Sequence, residues 1–83
     1  MANDAAKRID EFIFDSLLLG DSTRQPSATE SLIGSGVIDS TGVLELIEFL
    51  EQEFAIRVED SETVPENLDS VERIVAFVER KRA

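Results

Sequence analysis

Two serines, Ser40 and Ser70, are the hydroxyl-bearing residues of this sequence that stand where chemistry could take place. Each follows an aspartate and precedes an amphipathic pattern, so each is expected at the start of a helix. A serine becomes a catalytic nucleophile when a base removes its proton, and that base is most often a histidine. Because the chain contains no His, neither serine is predicted to be catalytic.

The other reactive side chains favour a protein that is not an enzyme. With no Cys, the chain has no thiol nucleophile, disulfide or thiolate zinc site. Lys7 and Lys81 lie near the chain ends, and the carboxylates lie on predicted helix caps or solvated faces. Residues 34–36 lack the lysine and strand of a phosphate-binding loop, and residues 59–62 lack the spacing of a calcium loop. We predict no catalytic residue and no metal ligand.

The negative charge of the chain is concentrated in one stretch. Between Asp39 and Glu72 there are eleven acidic residues and one base, Arg57, so this stretch accounts for the whole net charge of −10. Nucleic acid and anionic membranes would be repelled, whereas basic protein surfaces would be attracted. The acidic residues could also serve solubility alone, but their confinement to one stretch favours a binding face.

Length and hydropathy predict one small domain that spans residues 1–83. No apolar run approaches the roughly 18 residues of a membrane-spanning helix, and no signal peptide opens the chain. We expect a soluble, cytoplasmic, monomeric protein without membrane insertion.

Helical periodicity predicts an all-α fold. Asn3 or Asp4 can cap a first helix, a second begins at Asp39-Ser40, and a third long helix begins at Asp69-Ser70. The predicted core consists of apolar residues at helical spacing: Ile9, Phe12, Ile13 and Leu17 of the first helix, Val43, Leu46, Ile47, Leu50 and Phe54 of the second, and Val71, Ile74, Val75 and Val78 of the third.

The connections complete a predicted small four-helix bundle, with three long helices, one short helix and a long loop between the first two. Gly20 can end the first helix in a left-handed conformation. Residues 27–30 resemble a capping box and predict one helical turn over residues 28–33, and a short helix is expected within residues 59–68. Apolar residues of the connections are expected to insert into the core: Leu32, Ile33, Val37, Ile38, Ile56 and Val58.

The segment Gly36-Val37-Ile38-Asp39-Ser40, followed by an acidic amphipathic helix, resembles the attachment site of the acyl carrier protein family. The likeness extends from about residue 32 to residue 78 and includes the Leu-Glu-Gln-Glu-Phe run at 50–54. In that family the serine after the aspartate receives 4′-phosphopantetheine from coenzyme A. The resemblance implies that Ser40 is modified by a phosphopantetheinyl transferase and carries acyl or aminoacyl groups as thioesters.

The resemblance also implies roles for the neighbours of Ser40. Asp39 would cap the helix and help to orient metal and transferase during loading, and Gly36 would give the loop its turn. Ser70 would only cap the last helix, because no glycine precedes it at the matching offset. Partner recognition would fall to four residues of the second helix, an apolar residue and its polar surroundings: Thr41, Leu44, Glu45 and Glu48. The partners would be the transferase, an acyl- or aminoacyl-activating ligase, and downstream synthases or transferases with basic docking surfaces.

Carriers of fatty acid synthesis usually have a leucine directly after the modified serine, whereas here Thr41 follows Ser40 and Gly42 comes next. This difference favours a specialised stand-alone carrier in lipid or secondary metabolite biosynthesis. Two alternatives stay open from the sequence. Leu44 could pack on the long loop instead of facing a partner, and the chain could be an acidic helical adaptor that binds a basic protein without a prosthetic group.

Overall fold

The chain forms four α-helices within residues 3–82, which are the residues that the computed structural model describes. They are α1 (Asn3–Phe12), α2 (Ser40–Phe54), α3 (Pro65–Leu68) and α4 (Val71–Arg82). A π-helical turn continues α1 over Ile13–Leu17, and short 3₁₀ turns occupy Ser22–Arg24 and Asp60–Glu62. No strand occurs in this part of the chain, so the all-α prediction is confirmed. None of the helices in the described range is both long and apolar enough to cross a bilayer.

The first helix differs from the prediction at both ends. Asn3 and Asp4 both lie inside α1, so neither is the cap that the sequence predicts, and Asp4 pairs with Arg8 one turn later, at 3.2 Å from carboxylate oxygen to Nε. At the other end, the N–H of Leu18 donates to the carbonyl of Ile13 at 2.9 Å, five residues back. The extra residue in this π turn buries Leu18 and leaves Leu17 half-buried, which corrects the predicted core position of Leu17.

The chain leaves the π turn through two left-handed residues. Leu19 has φ +52° and Gly20 has φ +87°, and the N–H of Gly20 donates to the carbonyl of Phe14 at 2.8 Å. The predicted stop at Gly20 is therefore confirmed, because a residue without Cβ adopts this conformation at little cost.

Helix α2 packs on the core through Leu46, Leu50 and Phe54, while Val43 and Ile47 are only half-buried. It is joined to α1 by stacking of Phe49 on Phe12, with ring centroids 4.4 Å apart. The helix ends at Phe54, and Ala55 follows in a left-handed conformation.

Helix α4 supplies the other large part of the core. Its buried residues are Val71, Ile74, Phe77 and Val78. The predicted core omits Phe77, which is buried, and includes Val75, which is only half-buried. The basic end of α4 holds the preceding segment, because Lys81 Nζ lies 2.9 Å from a carboxylate oxygen of Glu62.

The connection from residue 21 to residue 39 departs most from the prediction. No helix forms over residues 28–33, which adopt turns, although the N–H of Ser27 does donate to the Glu30 carboxylate at 3.2 Å. Helical hydrogen bonding does not continue at Leu32, because its N–H donates instead to the carbonyl of Asp69 at 2.6 Å. Leu32, like Val37 and Ile38, is buried as predicted. Ile33 is 50% exposed, so its predicted burial is wrong.

The second connection places Ile56 and Val58 half-buried against the core, as the sequence predicts. The N–H of Val58 donates to the Glu51 carboxylate at 2.9 Å, which holds this segment beside α2. The short helix that was predicted within residues 59–68 corresponds to the 3₁₀ turn at Asp60–Glu62 and to α3.

Candidate functional site

Asp39 and Ser40 form the start of α2. Asp39 is the N-cap: its Oδ1 accepts a hydrogen bond from the N–H of Gly42 at 2.8 Å, and its carbonyl accepts from the N–H of Val43 at 2.8 Å. Ser40 is the first helical residue and is exposed. A serine here stands beside the positive end of the helix dipole, where backbone N–H groups lack intrahelical partners. The site can therefore present a hydroxyl group to a partner and favour negative charge near it.

The second Asp-Ser pair has a different environment. Ser70 is only 4% exposed, and its Oγ accepts a hydrogen bond from the N–H of Arg73 at 3.2 Å, which caps α4. Asp69 does not cap this helix. Its carboxylate instead accepts hydrogen bonds from the long connection, from Ser31 Oγ at 2.7 Å and from the N–H of Ile33 at 3.0 Å. The same dipeptide thus makes only internal hydrogen bonds at residues 69–70, whereas at residues 39–40 it exposes a hydroxyl group.

The backbone that leads to Ser40 is held by the core. Gly36 lies in a turn, as expected, and has φ +80°. Its carbonyl accepts a hydrogen bond from Arg24 Nη2 at 3.4 Å. Val37 and Ile38 are buried, and their N–H groups donate to the carbonyl of Leu32 at 3.0 and 3.2 Å. Ser40 therefore follows two residues whose positions are determined by packing and hydrogen bonding.

A shallow groove of about 310 Å³ lies beside the N-cap. Ser16 and Leu17 from the π turn line it together with the loop and the first turns of α2, where Thr41 and Glu45 contribute. The loop packs closely on the first turn of α2 at Gly42, since a Cβ atom there would lie 2.9 Å from Ile38 Cγ1, while Leu17 Cδ2 of the π turn would be in ordinary van der Waals contact at 3.4 Å. The π turn, which sequence periodicity did not indicate, thus forms one wall of the site.

The outward face of α2 carries the four residues predicted to recognise partners. These four residues are exposed, with Leu44 keeping 68% of its accessible surface: Thr41, Leu44, Glu45 and Glu48. The alternative that Leu44 packs on the long loop is therefore wrong. An exposed leucine between glutamates offers apolar contact area within a region of negative potential.

A small apolar cleft of about 70 Å³ lies where the loop meets α2 and α3. Its lining is contributed by Ile33, Ile38, Val43, Thr63, Val64, Pro65 and Leu68. Ile38 precedes Ser40 by two residues, so the cleft and the exposed hydroxyl group belong to the same end of α2.

Three carboxyl groups with shifted pKa values lie outside the start of α2. Burial raises the pKa of Asp10 above its ordinary value. Hydrogen bonds from Thr23 lower the pKa of Asp21, which caps the 3₁₀ turn at Ser22–Arg24. The hydrogen bond from Lys81 lowers the pKa of Glu62. The two lowered values arise from a cap and an ion pair, which are structural contacts.

No protein-family model matches the chain, and no curated protein matches it.

Proposed function

We propose that this protein is an acyl carrier protein that bears a 4′-phosphopantetheine arm on Ser40 and delivers acyl or aminoacyl thioesters to partner enzymes. It would be a substrate of those enzymes and would catalyse nothing itself. The observation that carries the proposal is the contrast between the two Asp-Ser pairs. The serine in the family-like sequence context is exposed at the start of an acidic helix, and the other serine is buried.

The residues around Ser40 fit a phosphate-linked group. A phosphodiester on Ser40 Oγ would stand at the N-terminus of a 15-residue helix, where dipole and backbone N–H groups favour negative charge. Because the Asp39 carboxylate accepts the hydrogen bond from Gly42, the helix start stays capped whether or not Ser40 is modified. In the loading step Ser40 Oγ would attack the β-phosphorus of coenzyme A and lose its proton. The phosphoanhydride bond would break, and 3′,5′-adenosine bisphosphate would leave.

Partner recognition in this proposal uses the exposed face of α2. Glu45 and Glu48 would steer basic surfaces of the transferase, of an activating ligase and of downstream synthases or transferases, and Leu44 would then supply apolar contact. Such interactions are weak at high ionic strength and dissociate quickly. Rapid release suits a carrier, because the covalent arm, rather than the docking affinity, keeps the cargo near each active site.

We further propose that the three longer helices and the short α3, with the connection between α1 and α2, form a small four-helix bundle. Thr41 and Gly42 after Ser40 support a specialised stand-alone carrier over one of main-pathway fatty acid synthesis.

The test is to incubate the purified protein with coenzyme A and a broad-specificity phosphopantetheinyl transferase and to measure the intact mass. We expect one phosphopantetheine adduct per chain, because one Asp-Ser serine is exposed and the other is buried. The adduct should disappear in Ser40→Ala and persist in Ser70→Ala, which is the matched control for loss of a serine after an aspartate. If the wild-type chain gains no mass, the acidic adaptor is the better account of the exposed face of α2.

A further inference from the structure

Asp69, in the junction between α3 and α4, holds the connection that leads to Ser40. Its Oδ2 accepts a hydrogen bond from Ser31 Oγ at 2.7 Å, and its Oδ1 accepts one from the N–H of Ile33 at 3.0 Å. Its backbone carbonyl accepts a third, from the N–H of Leu32 at 2.6 Å. We term these four residues the loop anchor. One residue thus holds three consecutive residues of a connection that is distant in sequence.

The loop anchor is continuous with the backbone before Ser40. The carbonyl of Leu32 accepts hydrogen bonds from the N–H groups of Val37 and Ile38 at 3.0 and 3.2 Å, and the Leu32 side chain is fully buried. Ser31 Oγ accepts a further hydrogen bond from the N–H of Gly34 at 2.9 Å. A path of hydrogen bonds therefore leads from the backbone carbonyl of Asp69 through Leu32 to Ile38, two residues before the exposed serine, and the Asp69 carboxylate holds Ser31 and Ile33 on either side of Leu32.

From this path we infer that Asp69 is a positioning residue for the modification of Ser40; the inference rests on the proposed carrier function. A half-buried carboxylate that accepts two hydrogen bonds holds its donors more strongly than a neutral group does. Without that charge, residues 31–38 sample other conformations, and the Ser40 hydroxyl group is presented to the transferase in the required geometry for a smaller fraction of the time. Displacement of a reacting group by about 1 Å can reduce a rate by up to about a hundredfold.

The test compares the steady-state loading of three variants with that of the wild-type chain. Asp69→Asn removes the charge, and Ser31→Ala removes one donor from the other side. Ser70→Ala is the matched control, since it loses a single cap hydrogen bond to Arg73 next to the loop anchor and leaves the anchor intact. For Asp69→Asn we expect kcat of loading to fall by about tenfold while KM changes little, because the exposed face of α2 is untouched.

Two further readouts separate positioning from a general loss of stability. Amide hydrogen exchange at Leu32 and Ile33 should accelerate in Asp69→Asn and Ser31→Ala but not in Ser70→Ala. Adding Ser31→Ala to Asp69→Asn should slow loading little further, because both changes break the same interaction. If Asp69→Asn does not fold, Ser31→Ala decides the question by the same two measurements.

The outcomes distinguish this inference from the carrier proposal. If the wild-type chain is loaded and Asp69→Asn is slowed no more than Ser70→Ala, the positioning role is overturned and the carrier function stands. If Asp69→Asn raises KM and leaves kcat unchanged, Asp69 acts on docking and the positioning role is also overturned. A wild-type chain that accepts no adduct overturns both.

Discussion

Replacement of Gly42 by alanine should destabilise the protein, although the same change inside a helix ordinarily stabilises it. Alanine is favoured over glycine by about 1 kcal/mol in a helix interior, and the N–H of residue 42 that donates to Asp39 is retained. The opposing effect is steric. The new Cβ would lie 2.9 Å from Ile38 Cγ1, which belongs to a buried side chain, so something must shift, whereas Leu17 Cδ2 and Asp39 Oδ1 would be in ordinary contact at 3.4 Å. Overpacking of this kind typically costs about 1–3 kcal/mol.

The net expectation is a loss of about 1 kcal/mol in the free energy of unfolding, since the steric cost exceeds a helix-propensity gain that the first turn realises only in part. For a domain of this size that corresponds to a fall in Tm of about 4–8 °C, measured by thermal unfolding with circular dichroism and by the urea midpoint. Thr41→Ala is the control, because Thr41 is exposed in the same turn and reports helix propensity without the contact. A Tm that rises in Gly42→Ala as it does in Thr41→Ala would refute the close contact of residue 42 with Ile38.

Two other predictions concern the exposed side chain of Leu44 and the half-buried ion pair of Glu62 and Lys81. Leu44→Ala should leave Tm and helicity unchanged and lower kcat/KM of loading by about fivefold, or about 1 kcal/mol. The control is Leu19→Ala, which truncates another exposed leucine, 83% exposed and outside the acidic stretch, and should be loaded like the wild type. Equal loading rates in the two variants would remove Leu44 from the recognition surface. The pair of Glu62 and Lys81 should stabilise the fold above the ordinary glutamate pKa of 4.5, because the hydrogen bond from Lys81 lowers the folded-state pKa of Glu62. The Tm difference between wild type and Glu62→Gln should therefore be constant above pH 4.5 and shrink as the pH falls through the lowered pKa of Glu62. A Tm difference that stays unchanged in acid would contradict a stabilising role for the pair.

Much of α2 and α4 could be predicted because each has an apolar stripe at regular spacing and a polar cap at its start. Asp39 precedes the stripe of Leu46, Leu50 and Phe54, and both the cap and the stripe are observed. The left-handed exit at Gly20 also follows from residue type, since glycine tolerates positive φ.

The connections could not be predicted in the same way, because their conformation depends on partners that are distant in sequence. Residues 27–30 carry the local signature of a helix start, but the hydrogen bond from Leu32 to the carbonyl of Asp69 competes with helical continuation. The next residue, Ile33, donates its N–H to the Asp69 carboxylate and is 50% exposed. Similarly, the π turn of α1 has no periodic signature, because one inserted residue changes the register only after Ile13. The residues missed at the site, Asp69, Ser16 and Leu17, all belong to these two features.

The different fates of Ser40 and Ser70 follow from their angular positions relative to the buried face of the helix that each begins. At 100° per residue, Ser40 lies about 100° from the centre of the buried face of α2, which is formed by Gly42, Leu46, Leu50 and Phe54. Ser70 lies only about 50° from the centre of the buried face of α4. The first hydroxyl group is therefore directed along the edge of the bundle, and the second into it, where the N–H of Arg73 satisfies it. An aspartate-serine pair does not by itself determine whether its hydroxyl group is exposed. The angle between the serine and the apolar stripe of the helix that follows decides whether that hydroxyl group can contact another protein.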